Sequence, residues 1–137
     1  VPGPDADRPA AAVAAEGIER AVRRLRKAEK KLKSFEPWTD DWVAQLHRIR
    51  KRAKAVRYTA DAAKPLGRTS AARTAKRAAR IQSRLGDFQD VVVSREQFAQ
   101  VAAQPQLSRD AIFVLGRLDA REERRGLRAV ERYLDGR

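Results

Sequence analysis

The amino-acid sequence predicts an all-α protein, a helical bundle of about five helices. Apolar residues recur at spacings of three and four from Ile18 to Leu134, and no stretch alternates with the period of two that marks a credible strand. Each periodic run also ends at a capping or breaking residue. A chain of 137 residues with 42% hydrophobic content is long enough for one domain with a modest core.

Residues 1–8 begin Val-Pro-Gly-Pro and have linker or disordered character, which leaves 9–137 as the helical part. Ile18, Val22, Leu25, Leu32 and Phe35 predict a first helix over about residues 9–35, stopped before Pro37. Its other faces carry Arg20, Arg23, Arg24, Arg26, Lys27, Lys30, Lys31 and Lys33. Thr39, Asp40 and Asp41 supply an N-cap and first-turn carboxylates to a second helix, which ends near Pro65 and Gly67. Thr69 or Ser70 can cap an alanine-rich third helix that runs to Leu85, with Gly86 as its stop. Phe88, Val91, Val92, Phe98 and Val101 predict a shorter fourth helix broken by Gln104 and Pro105. Ser108 opens a fifth, where Ile112, Leu115, Leu118, Val130 and Leu134 keep the period to the end.

The chain has 31 Lys and Arg against 18 Asp and Glu, a formal net charge of +13, and 23 of the cations are arginine. That excess predicts an anionic partner, and the planar guanidinium fork suits bidentate capture of phosphate or carboxylate. The acids are unevenly spread: none occurs between Arg68 and Arg84. In the last helix Arg117, Arg121, Arg124, Arg125, Arg128 and Arg132 alternate with Asp119, Glu122, Glu123 and Glu131, the pattern of a solvated face with intrahelical ion pairs. With no cysteine there can be neither disulfides nor a thiolate metal site. No apolar run approaches the roughly 20 residues that span a bilayer, and no signal-peptide pattern is visible, so a soluble cytoplasmic location is the expectation.

The second helix holds the most informative segment, Leu46 to Tyr58. His47, the only histidine, falls with Arg50, Lys54 and Arg57 within an arc of roughly 80°. Trp42, Leu46, Ile49, Ala53, Val56 and Ala60 form a second stripe centred roughly 100° away, so one face enters a core and the next presents cations. Lys51 and Tyr58 flank the cationic stripe. On the third helix Arg73, Arg77, Arg80 and Arg84 fall within an arc of roughly 60°. Like charges at this spacing cost an isolated helix about 0.2–0.5 kcal/mol per pair, which a bound polyanion would offset. An exposed solubility face is the competing account of that row.

His47 could be a general base, a metal ligand or a phosphoryl acceptor. Its cationic neighbours repel metal ions and lower its pKa, so the role that fits best is a hydrogen-bond donor to an anion held by Arg50, Lys54 and Arg57; a solvated or core-edge histidine is the alternative. Asp87 and Asp90 can cap a helix or orient cations, and the arginines around them argue against an acid–base pair. The chain has no Walker loop, GxGxxG, zinc motif or nucleophile elbow, so an enzyme is not expected, nor a metal or cofactor.

These two helices resemble the conserved histidine α-helical domain, CHAD. That family pairs a helix of the form His-x-Leu-Arg-x-x-x-Lys-Arg-Leu-Arg-Tyr with a following Leu-Gln-x-x-Leu-Gly-x-x-Asn-Asp. The first pattern is matched here by His47, Arg50, Lys54, Arg57 and Tyr58, with Ile49 and Val56 at its apolar positions; the second is matched by Gln82, Leu85, Gly86 and Asp90. Ala55 stands where a second basic residue is usual, Ile81 replaces leucine and Gln89 replaces asparagine. The resemblance implies a non-catalytic helical module that binds inorganic polyphosphate through a basic central cleft or pore; the expected binding residues are His47, Arg50, Lys51, Lys54, Arg57 and Tyr58 on the second helix and Arg73, Arg77, Arg80 and Arg84 on the third, with Gln82 and Asp90 in support. It also implies fusion to a triphosphatase domain, or association with storage granules, in some members.

A full domain of that family resembles two similar helical halves, each with its own histidine helix. This chain has one such helix and resembles the C-terminal half of a two-bundle domain. The expected partner is therefore the missing N-terminal half, or a second copy of this chain, across the basic stripe. Two other functions compete. A nucleic-acid-binding or architectural protein would use the same charge, but the stripes lack the interleaved aromatics that stack bases, and no helix-turn-helix, homeodomain or RRM signature is visible. A phosphohydrolase or phosphotransferase would need a carboxylate cluster for a metal, which is not evident in the sequence.

Overall fold

The structure, a computed structural model, describes residues 9–66 and 69–136. Among the described residues there are four α-helices and one short 3-10 turn: α1 (Ala10–Leu32), α2 (Asp40–Ala63), the turn Lys64–Leu66, α3 (Thr69–Ala102) and α4 (Arg109–Asp135). The all-helical class is as expected. The linker assigned to residues 1–8 lies outside the described residues.

Local chemistry accounts for most of the boundaries. The Thr39 hydroxyl accepts from the Trp42 backbone N–H at 3.2 Å, and Asp40 and Asp41 place carboxylates in the first turn of α2. Ser108 caps α4 in the same way, accepting from the Ala111 N–H at 3.1 Å. Between α1 and α2 the chain turns through Trp38, which has φ 66°, a left-handed conformation that costs a residue with a Cβ about 1–2 kcal/mol. Its ring lies 5.5 Å from that of the buried Trp42, tilted by 47°, and this contact offsets part of the cost. The side chain of Thr69, an expected cap, lies outside the described residues, and Ser70 is already inside α3.

One boundary differs from expectation. The third and fourth helices are a single helix, and Gly86 does not stop it. Ile81, Leu85, Phe88 and Val91 follow one another at spacings of four, three and three, and all are buried. The apolar face thus continues through the glycine, and its burial outweighs the roughly 1 kcal/mol by which glycine is worse than alanine inside a helix.

The chain divides into two compact units, Val1–Gln82 and Ser83–Arg137. In the first, α1 and α2 run antiparallel. Leu25, Ala28 and Leu32 of α1, the predicted face of α2 from Trp42 to Ala60, and Ala71, Ala75, Ala78 and Ile81 of α3 are all buried. Gln45, 1% exposed, is the buried polar residue of this core; its Nε2 donates to the Ala28 carbonyl at 2.8 Å and its Oε1 accepts from Arg48 at 3.0 Å. In the second unit, Leu85, Phe88 and Val91 of α3 and Ala129, Val130 and Tyr133 of α4 are buried. Arg95 of α3 clasps Asp119 of α4 with bonds of 2.9 and 3.2 Å and lies 3.9 Å from Glu123. The expected intrahelical pairing on α4 holds for Arg125 with Glu122, but Asp119 and Glu123 serve this interhelical clasp instead. Among the described residues no helix is long and apolar enough to cross a membrane.

Candidate functional site

The rigid core face of α2 sets the positions of its cations. With Leu46, Ile49, Ala53 and Val56 almost wholly buried, His47 and Arg50 are half-buried at the edge of that face, while Lys51, Lys54, Arg57 and Tyr58 are exposed. The Nδ1 of His47 and the Nε of Arg50 are enclosed and have no hydrogen-bond partner within the described chain. An enclosed polar atom left unpaired costs about 1–3 kcal/mol, and both lie too deep for a ligand to meet unless their side chains shift. Burial, followed by the charges of Lys51 and Arg50, holds the His47 pKa below its ordinary value of 6.5, so the ring is neutral at pH 7.

Further along the stripe, Lys54 sits over the Tyr58 ring, 5.5 Å from its centroid. Arg57 donates from Nη1 to the Gln82 Oε1 at 3.3 Å, and its Nε lies 3.7 Å from Asp61. Asp61 is shared with Lys64 at 2.7 Å. The guanidinium of Arg57 is therefore pre-oriented by one neutral and one acidic partner, both exposed enough to yield to a stronger anion.

The arginine row of α3 takes other surroundings. Arg73, Arg77 and Arg80 are exposed and stand roughly 140–180° round α3 from Gln82, the residue that meets the α2 stripe. Arg77 instead lines a small cleft of about 100 Å³ with Arg26 and Glu29 of α1. In the first unit, then, Arg57 meets Gln82, and the two cationic rows face different ways. Arg84 falls in the second unit, half-buried, where its guanidinium occupies the space that a side chain at Gly136 would need. It thus lies beside the C-terminal end of α4, where a cation is favoured by the helix dipole. Asp90 is exposed on α3 in the same unit.

Sequence reasoning missed two features. Gln45 is invisible to a hydrophobic pattern because its partner is a backbone carbonyl. The second is a groove between α1 and α2 lined by Arg20, Arg24 and Arg52, whose juxtaposition depends on the register of two helices. Among the described residues no three His, Asp or Glu side chains gather as metal ligands would.

Comparison with known proteins agrees with the resemblance that the motifs carry. The CHAD domain profile matches residues 2–99, more than half of the chain, including α1, α2 and all but the last residues of α3. The chain is 40% identical over 126 residues to two proteins of Mycobacterium tuberculosis, "uncharacterized protein MT2285" of strain CDC 1551 / Oshkosh and "uncharacterized protein Rv2226" of strain H37Rv. Each match covers 86% of this chain and 23% of the relative, so the chain spans about a quarter of the length of these curated relatives. No solved structure matches it. On the histidine helix, the Gln-Leu-Gly segment and the profile match together, the chain belongs to the CHAD domain family.

Proposed function

We propose that this chain is a non-catalytic module that binds inorganic polyphosphate along α2, with Arg50, Lys54 and Arg57 gripping phosphates and His47 and Tyr58 donating hydrogen bonds. The observation that carries the reading is the run of cations, Arg50, Lys54 and Arg57, that the buried core face of α2 fixes on one flank of the helix beside the half-buried His47. A polymer with a charge on every phosphate matches a cation at each helical turn, and membership of the CHAD family supports the same ligand. The α3 row of Arg73, Arg77 and Arg80 adds long-range attraction from another face. The reading extends to a cytoplasmic or granule-associated setting.

The pairing partner in this proposal is the missing N-terminal half or a second copy. Large exposed apolar side chains are concentrated on the first half of α4, where Ile112, Phe113 and Val114 are 50%, 66% and 53% exposed, and they give such a partner more apolar surface than the basic stripe does.

The test is competition at equal phosphate concentration between long-chain polyphosphate and duplex DNA, read by displacement of a labelled polyphosphate. The expected outcome is that DNA fails to displace it and that Arg57→Glu weakens its binding. Displacement by DNA would favour a nucleic-acid-binding protein, and magnesium-dependent phosphate release abolished by His47→Ala would favour a phosphohydrolase.

A further inference from the structure

Of the residues that line the cationic groove between α1 and α2, only Ala55 falls in a motif that identifies the family, at a position where a basic residue is usual. It is an open groove of about 260 Å³ whose floor is built from Gly17, Ala21 and Ala55 and whose rim carries Arg20, Arg24 and Arg52. A single bound water needs about 10–15 Å³ measured in the same way, so the groove has room for a polyatomic anion. The small residues create it: Gly17 faces the Thr59 methyl closely enough that a Cβ there would stand 3.5 Å away, and neither Ala21 nor Ala55 fills the space above. The Thr59 hydroxyl donates to the Ala55 carbonyl at 2.8 Å, so it is already committed as a donor. The donors that the side chains offer here are therefore guanidinium N–H groups.

Two further observations separate this groove from the other cationic surfaces. No acid lines it, and none of its three arginines forms an ion pair or side-chain hydrogen bond among the described residues. The cleft where Arg26 meets Arg77, by contrast, contains Glu29, and Arg23 on the solvent side of α1 pairs with Glu19 at 3.9 Å. Arg52 also stands roughly 140–160° round α2 from Arg50, Lys54 and Arg57, so the groove lies on the opposite flank of that helix from the stripe. Arg20 and Arg24, one turn apart on α1, repel each other unless something negative lies between them and Arg52.

We propose that the α1–α2 groove is a second anion site, separate from the α2 stripe, that takes adjacent phosphoryl groups of a condensed phosphate. Three guanidinium forks with no competing acid suit a ligand that presents several oxygens on neighbouring phosphorus atoms. Its ligand class is the one read for the stripe, but the groove argument uses none of the stripe's residues. With a site on each flank of one helix, a long chain that engages one makes its second contact intramolecularly, so affinity grows with chain length.

The experiment is an NMR titration of the whole 137-residue chain with inorganic tripolyphosphate, with sulfate at matched ionic strength as the control. Backbone amides of Gly17, Ala21 and Thr59 report the groove, and the His47 ring reports the stripe. The expected result is a saturable shift of the groove amides that persists in Arg50→Gln/Arg57→Gln and is weakened at least tenfold in Arg20→Gln/Arg24→Gln/Arg52→Gln. Ala55→Leu, which fills the floor without removing a charge, is expected to weaken it to a similar extent, and unchanged far-ultraviolet circular dichroism and thermal midpoints verify that the variants fold. Groove shifts that are absent, that sulfate reproduces in full, or that survive both groove variants would overturn the proposal. Silence at His47 alone would instead overturn the reading of the stripe.

Discussion

The two compact units differ in what their half-buried arginines meet. In the second, Arg95 is clasped by Asp119 with Glu123 beside it, Arg125 is held by Glu122, and Arg84 lies at the C-terminal end of α4. In the first, the half-buried Arg50 has an enclosed Nε without a partner, and Arg20, Arg24 and Arg52 surround a groove without an acid. The difference lies in which carboxylates the fold brings within reach, since both units are rich in arginine. An arginine clasped by a carboxylate of another helix ties the two together, whereas one without such a clasp carries charge that a ligand can use. Net charge by itself does not distinguish the two, which is why +13 identifies an anionic partner but no surface.

Charge reversal in each unit is the strongest test of that contrast. Arg50→Glu/Arg57→Glu is expected to weaken long-chain polyphosphate binding by about a hundredfold, or about 2.7 kcal/mol, measured by calorimetric titration. Arg121→Glu/Arg124→Glu on α4 makes the same change in net charge and is expected to cost less than about threefold, because only long-range attraction is lost. Equal losses would mean that the whole field binds the ligand and that no surface is special. In wild type, the logarithm of affinity should fall with the logarithm of salt concentration by about 0.7 for each phosphate contacted, and the α2 double variant should have the shallower slope.

Much of the first unit was legible in the sequence because α2 is built from large apolar residues at fixed spacing. Every residue predicted for its core face, Trp42, Leu46, Ile49, Ala53, Val56 and Ala60, is at most 6% exposed, and the caps at Thr39 and Ser108 form as expected. The face of α3 was not legible, because alanine is equally at home inside and outside; only the structure shows Ala71, Ala75 and Ala78 leading into Ile81. Gly86 misled for a related reason: a lone glycine is a stop only if the apolar face ends with it, and here Phe88 and Val91 continue the face. In the candidate site, the α2 stripe was visible as a wheel pattern. Its meeting with Gln82, the separate facing of the α3 row and the arginine groove all depend on how helices are set side by side, which helical periodicity within one segment does not encode.

A smaller effect is expected from the clasp in the second unit. Arg95→Ala removes a bidentate bond between half-exposed partners, where solvent screening limits the gain, so the expected loss is about 1 kcal/mol, seen as a fall of about 3 °C in thermal midpoint. Polyphosphate affinity should stay within about twofold of wild type, since the net charge changes by one and no unpaired cation of the first unit is touched. A loss of affinity matching that of the α2 variants would show that the clasp between α3 and α4 also binds ligand.

The smallest expected effect concerns His47 and has opposite signs for stability and for binding. Burial and the charges of Lys51 and Arg50 lower its pKa in the ligand-free fold from the ordinary 6.5. Between 6.5 and that lowered value the unfolded chain binds more protons than the folded one, so stability is fully present above 6.5 and falls as pH drops through the window. A phosphate bound among the same cations reverses the local field and favours the imidazolium, raising the pKa of the complex and coupling binding to proton uptake. Affinity should therefore rise by about threefold between about pH 7.5 and about pH 5.5 while the unliganded chain loses stability over the same range. His47→Gln keeps a donor but cannot titrate, so both slopes should flatten with little change in affinity at the upper pH. Calorimetry in two buffers of different ionisation enthalpy measures the proton uptake directly. If wild type takes up no proton on binding and His47→Gln leaves affinity unchanged at both pH values, His47 does not contact the anion, and the stripe begins at Arg50.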